Sequence, residues 1–354
     1  YKEVLSLSRL GYHVVYIAPN ASSMQHEGIE CVDIPKPASV IRRLCGLWHI
    51  YRVARRQKCE ICHFQDMELI VVGLMLKFFT RTKVIYDVHE DYPSQMLTKH
   101  YLKDWQRKPL NRMVKFLERL ADKYFDAIVT ADNFVYTHFS PDKTTVLYNF
   151  PDTRLMDDSM DRNAEKKWDI IFPGAMAKFT ANIILEAVRI ARERGYRLRT
   201  ALISQFHFNG GMAWVEERIA ELGLDRNDFL LMYRIPTYEV PHYICSTKVG
   251  LIPLPDTPKM RANIPTKMFE YMYCGIPVVT GDLPPSGQFM KKDDYGILVN
   301  PSSAEEYADA IIRLIDDPGL ASRLGEKGRE LVLTRYNWQQ EEQKLDKIYR
   351  KLLS

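Results

Sequence analysis

Residues 264–282 read IPTKMFEYMYCGIPVVTGD, and this stretch decides the fold. Pro265 suits the first turn of a helix, where its missing N–H would have no partner. Thr266 or Asn263 is expected to cap that turn with a side-chain oxygen. Gly275 supplies the left-handed residue that ends a helix, and residues 277–280 then read as a short buried strand. Two polar side chains stand out in this helix–strand pair. Lys267 falls in the first turn, where the helix dipole disfavours a cation. A phosphate bound there would remove the conflict. Glu270 lies one turn on, between Phe269 and Tyr271, and an acid on so apolar a helix needs a partner. A lysine on a diphosphate with a glutamate on ribose hydroxyls is one reading. A local i,i+3 ion pair worth about 0.2–0.5 kcal/mol is the other, and spacing alone does not separate them.

The string resembles the donor-site motif of retaining glycosyltransferases of the GT-B fold, in the large fourth family typical of bacterial surface-polysaccharide synthesis. The resemblance is carried by Pro265, Lys267, Phe269, Glu270, Tyr271, Met272, Gly275, Pro277 and Val278. It implies that Lys267, Glu270 and the adjoining Thr266 hold a nucleotide-diphosphate sugar. The likeness extends over nearly the whole chain and is sharpest from 233 to 301. One departure matters: many members carry a glutamate eight residues before the Glu270 position, and here that residue is Ala262.

Outward from this motif, strands and helices alternate. Strands are expected near 168–172, 198–203, 229–232, 248–253 and 296–301, with closing helices at 304–316, 318–334 and 338–352. Gly174 follows the first of these strands, and a helix is expected from Asn182. The resemblance implies that the Gly174 turn approaches the diphosphate, with a basic residue soon after. Ala175 stands where the usual arginine would, and Lys178 is the nearest base. Phe206, His207 and Phe208 either stack on a base or pack in the core. Residues 152–167 are polar and without periodicity, and read as a linker.

The first half repeats the pattern. A helix is expected at 1–10, with strands at 13–18, 30–34, 59–64, 83–87, 126–130 and 145–148. A doubly wound sheet normally opens on a strand before its first helix. None is written here, so a chain truncated at its front, or a sheet without its central first strand, is expected. YDVHEDYP at 86–93 places His89 just past a strand's carboxyl end, where open α/β sheets place ligands. It resembles the family segment whose histidine faces the donor sugar, and that catalytic role is carried to His89. Glu90 and Asp91 are acceptor-side candidates. A metal site of His89, Glu90 and Asp91 is disfavoured, because adjacent residues cannot readily converge. Cys59-Glu-Ile-Cys62-His63 matches a haem-attachment spacing, but in a buried strand the cysteines read as small apolar residues.

Residues 39–57 and 97–124 read as basic helices, the second split in two by Pro109. The first carries Arg42, Arg43, Arg52, Arg55 and Arg56, opposite Leu44, Leu47, Trp48 and Tyr51. Such a helix can lie on an anionic membrane or on the sheet with a solvated face.

Composition bounds the rest. The 354 residues are 46% hydrophobic and 27% charged, which suits a globular protein of two domains. The net charge of +4 forces no nucleic-acid partner. Its excess lies in residues 1–150, with 21 Lys and Arg against 16 Asp and Glu. Six scattered cysteines fit a reducing compartment better than a disulfide scaffold. No run approaches the ~18 apolar residues of a membrane span.

The expected architecture is therefore α/β and GT-B-like, two Rossmann-like domains facing across a cleft. Its parts are an acceptor domain at 1–151, the linker at 152–167, a donor domain at 168–336, and a helix at 337–354 crossing back to the first. The resemblance implies transfer of a sugar from a nucleotide-diphosphate donor to a hydroxyl acceptor, glycan or lipid-linked, on the cytoplasmic side. No metal and no cofactor beyond the donor are expected. A catalytically silent binding partner is the alternative, motivated by Ala262, Ala175 and the absent strand. A sugar-nucleotide epimerase on the same fold is a third, though its acid-rich site is not evident.

Overall fold

The computed structural model describes residues 2–354 apart from 24, 25, 27, 37–39, 99–102, 158, 159, 162, 163 and 291–294. The side chains of 40–44, 98 and 104 are likewise outside the description. Ser39 and Lys99, and the side chains of Arg42, Arg43 and Leu44, thus lie outside the described residues. The chain divides into two compact units. One comprises Tyr1–Asn149 with Gln340–Ser354, the other Phe150–Gln339.

Among the described residues the first unit holds six strands, each pairing in parallel within its own sheet: β1 (Val14–Ala18), β2 (Ile29–Asp33), β3 (Ile61–Phe64), β4 (Lys83–Val88), β5 (Ala127–Thr130) and β6 (Thr144–Val146). Four of them form one sheet in the order β3-β4-β5-β6, and β1 pairs with β2 in a separate ribbon. A two-stranded ribbon is marginal by itself, and helices anchor this one. Helix Lys2–Arg9 buries Leu5 and Leu7. The carboxyl-terminal residues belong to the same unit: Ser6 Oγ donates to Glu342 Oε2 at 2.6 Å, and Tyr12 OH to Asp346 Oδ1 at 2.9 Å. On β4 the alternation is strict. Val84, Tyr86 and Val88 face a core shared with Phe64, Ile128 and Phe125, which leaves Ile85 and Asp87 on the opposite face.

Two helical expectations are corrected here. Pro109 does not split the second basic helix, which runs unbroken over Asp104–Tyr124. Pro109 lies in its second turn, so one i→i−4 bond is lost near an end that is already under-bonded. Helix Tyr92–Thr98 overlaps the start of the expected 97–124 span, whose residues 99–102 lie outside the described residues. In helix Val40–Gln57 the aromatic face is divided: Tyr51 is buried against Val72 and Leu76, whereas Trp48 is 57% exposed.

The second unit is a single six-stranded parallel sheet. Its strands are β7 (Trp168–Met176), β8 (Thr200–Phe206), β9 (Phe229–Met232), β10 (Thr247–Ile252), β11 (Val278–Gly281) and β12 (Gly296–Val299). The order β12-β11-β10-β7-β8-β9 runs outward from β7 in one direction and then, from β10, in the other. That reversal places the topological switch point between β7 and β10. The strands are apolar almost throughout, as a sheet covered on both faces requires.

Three details differ from the sequence reading. β7 continues through Met176, so Gly174 lies inside the strand, paired with Ser204. The following helix starts at Lys178 rather than Asn182. Residues 153–157, within the expected linker, form helix Thr153–Asp157, whose Asp157 accepts a 2.6 Å bond from Tyr273 OH.

Candidate active site

The switch point gathers most of the motif from which the sequence reading started. Helix Lys267–Tyr273 is aimed by burial. Met268, Phe269, Tyr271 and Met272 are fully buried, and Tyr271 OH donates to the carbonyls of Ile171 on β7 and Leu251 on β10. Behind it Phe269 meets Phe150, Phe289 and Tyr336 at centroid distances of 4.7, 5.2 and 5.7 Å. Gly275, at φ +71°, ends the helix. Its N–H bonds Met272 O and that of Ile276 bonds Tyr271 O, the paired closure of a Schellman motif. The expected cap is corrected: Thr266 is exposed, has helical dihedrals and makes no side-chain cap bond. The first turn closes instead by i→i+3 bonds from Met268 to Pro265 and from Phe269 to Thr266, which draws Thr266 into the turn.

Lys267 is half-buried and its ammonium lies 3.8 Å from the ring centroid of Phe172 on β7. It also sits beside Gly174, 3.6 Å from where a Cβ would stand. Gly174 has φ +97°, which no L side chain adopts without strain, so glycine serves both this left-handed residue within β7 and the open approach to Lys267. Burial pushes the lysine pKa down to about 8, with Glu270 pulling the other way. A dehydrated ammonium beside an open backbone at a helix entrance is a strong anion ligand.

Lys178 is exposed and opens helix Lys178–Glu193, its ammonium 4.8 Å from the ring centroid of Trp214. Thr180 of the same turn donates to Pro253 O at the end of β10, which ties that helix start to the switch point. Phe206 and Phe208 pack against the core and meet edge to face with each other, and Phe208 does so with Trp214. His207 between them is exposed.

In the first unit His89 follows β4, and its Nε2 lies 2.6 Å from Asp87 Oδ2. Burial opposes charge on this imidazole, but the bond and charge of Asp87 outweigh it, and the pKa is raised. Glu90 is exposed. Asp91 caps helix Tyr92–Thr98 by accepting from Ser94 N–H at 3.1 Å. Sequence reading missed Asp87, Glu3 and His63, which lie around His89. Asp87 was detectable, because residues two apart on a strand share a face. Glu3 and His63 are brought in only by the fold. Cys62, beside His63, has its thiol pushed up to about 12 by burial, which suits an inert apolar role.

Comparison with known proteins bears on both units. Residues 4–155 match the family described as Glycosyltransferase Family 4, and residues 167–317 match Glycosyl transferases group 1. The two glycosyltransferase family matches thus fall one in each half of the chain. An MMP alpha-(1->4)-mannosyltransferase from Mycolicibacterium hassiacum is 23% identical over 317 residues, 85% of this chain and 72% of its own. An alpha-D-kanosaminyltransferase from Streptomyces kanamyceticus is 28% identical over 111 residues, 31% of this chain and 29% of its own. Among solved structures, sucrose-phosphate synthase from Thermosynechococcus elongatus superposes with a TM-score of 0.74 at 16% identity, covering 99% of this chain and 92% of that one. Anabaena HepE in complex with UDP-glucose gives 0.71 at 15% identity, covering 99% and 95%. The structural likenesses identify the two Rossmann-like units of this chain as those of the GT-B fold.

Proposed function

We propose that the protein transfers a sugar from a nucleoside diphosphate donor to a hydroxyl acceptor with retained anomeric configuration, in surface polysaccharide or lipopolysaccharide synthesis. The observation that carries this reading is the half-buried Lys267 ammonium beside Gly174 at the β7/β10 switch point. Negative charge develops on the leaving diphosphate, and a preorganised cation there stabilises the transition state more than the ground state. In this reading Lys267 and Lys178 supply that charge, so the step calls for no metal. Thr266 and the backbone at Gly174 border the phosphates, Glu270 takes the ribose hydroxyls, and His89 meets the reacting sugar. Glu90 remains the acceptor-side candidate with Asp91, whose carboxylate also caps a helix. The mannosyltransferase relative and the UDP-glucose complex of Anabaena HepE support a nucleotide sugar as donor.

No described helix is long and apolar enough to cross a membrane. The proposed setting is the cytoplasmic face of the cell membrane, held peripherally. Helices Val40–Gln57 and Asp104–Tyr124 both pack on Ile70–Phe79, and together they expose Trp48, Phe78, Phe79, Trp105 and Phe116 among many bases. Aromatic rings amid basic residues suit an anionic lipid surface, where a lipid-linked acceptor would reside.

The test is sugar transfer followed by mass spectrometry, with NMR of the product's anomeric centre. Transfer with retention, lost in Lys267→Ala at unchanged folding, is expected. Undiminished transfer in that variant removes the diphosphate role. Nucleotide-sugar binding without any transfer favours a silent binding partner, the reading that Ala262 and Ala175 suggest.

A further inference from the structure

Four side chains from separate elements of the first unit meet near the carboxyl ends of β3 and β4. Glu3 comes from helix Lys2–Arg9, His63 from β3, Asp87 from β4, and His89 from the segment after it. Ligand atoms of Glu3, Asp87 and His89 all lie within 4.8 Å of one another. His63 brings a fourth. Its Nε2 is 3.9 Å from Glu3 Oε2 and 3.9 Å from Asp87 Oδ2, and it is a buried nitrogen with no hydrogen-bond partner. An orphaned buried nitrogen aimed at two carboxylates is costly unless something else occupies the space between them.

We propose that Glu3, His63, Asp87 and His89 form a binding site for a zinc-class divalent cation. Two imidazoles and two carboxylates make a borderline donor set that suits zinc, whereas magnesium and calcium favour oxygen alone. Zinc bonds of about 2.0–2.2 Å place tetrahedral ligand atoms roughly 3.4 Å apart. Closure from 3.9 Å then needs only small side-chain rotations, with the 2.6 Å Asp87–His89 bond opening to admit the ion. The surroundings also fit. Nδ1 of His63 lies 3.1 Å from Tyr349 OH, and Gln65 Nε2 donates to Asp87 Oδ2 at 3.0 Å. Metal-bound histidines and carboxylates are commonly oriented by such outer partners. A dication bound there compensates both carboxylates directly.

The inference shares His89 with the transferase reading but does not rest on it. Coordination uses His89 Nε2, the nitrogen now on Asp87, and leaves Nδ1 for any contact with sugar. It is tested without substrate. The whole chain is stripped with EDTA and titrated with zinc chloride by calorimetry, in two buffers of different ionisation enthalpy. Saturable, stoichiometric binding with proton release is expected, together with a zinc-dependent rise in Tm. Cobalt should give the visible bands of a four-coordinate site. His63→Ala and Glu3→Gln should weaken zinc binding at least about 100-fold, and Tyr349→Phe about 10–100-fold. His13→Ala, at an exposed histidine paired with Glu30, should bind as the parent does. Should His63→Ala fail to fold, His63→Gln takes its place. A parent chain that binds no zinc, or retained affinity in both the His63 and Glu3 variants, overturns the site. Magnesium binding as tight as zinc overturns the assigned ion class.

Discussion

Lys267 shows how much one side chain can be made to carry. Its pKa in the folded chain is about 8 against an ordinary 10.5. Between those values the unfolded chain holds a proton that the folded chain does not, so ligand-free stability should rise with pH across that window. Below pH 8 the cost of the buried ammonium is fully present. Lys267→Met should therefore raise unliganded stability near neutrality by up to about 3 kcal/mol, measured by urea unfolding. The same substitution should weaken nucleoside diphosphate binding by about 10–100-fold, the size of a lost charge-assisted contact of ~1.5–3 kcal/mol. In the parent that binding should decline as pH rises through 8, where the ammonium loses its proton. Gly174→Ala is the companion test. At φ +97° a Cβ costs roughly 1–2 kcal/mol and stands beside the lysine, so both Tm and nucleotide affinity should drop.

At the scale of elements, what matters is what lies behind each functional helix. Helix Lys267–Tyr273 has only seven residues, too few to be stable alone. Its direction comes from Tyr271 bonded to two strands and from the aromatic nest around Phe269. Phe269→Ala should cost about 3–5 kcal/mol and depress transfer through a displaced Lys267, seen as a cooperative unfolding transition at lower denaturant. Helix Asp104–Tyr124 carries a different liability. Glu118 is 7% exposed, and burial first and Asp91 second lift its pKa to about 8. The folded state then keeps a proton that the unfolded chain releases above 4.5, so stability should fall as pH rises from about 4.5 to 8. Glu118→Gln should flatten that slope and leave the variant more stable than the parent at pH 8, as thermal melts across the range would show.

For the whole molecule, the basic excess of residues 1–150 and the exposed aromatic side chains of three adjoining helices predict binding to anionic vesicles. Flotation should show it, weakening with salt as screened charge requires and reduced in a Trp48→Ala, Trp105→Ala double variant that keeps its Tm. Much of the fold was legible in the chain because parallel strands buried on both faces are written as short apolar runs, and helices as periodic ones. Strand positions in both units and the three closing helices followed from that pattern. Gly174 and Thr266 misled because a neighbouring strand or turn supplied bonds that local preference did not foresee, and Pro109 because its lost bond falls near a helix end that is already under-bonded. Lys267 and Glu270 were visible because a charge on an apolar helix face is a conflict within the sequence itself. Glu3 and His63 carried no such signal, since each is unremarkable among its chain neighbours. The amino-acid sequence by itself determined the alternating elements and the charged pair on the switch-point helix, both of which depend on contacts a few residues apart. The tertiary structure alone decided that Gly174 lies open beside Lys267, and that Glu3, His63, Asp87 and His89 share one space, because those approaches join residues distant along the chain whose spacing only the packed sheets set.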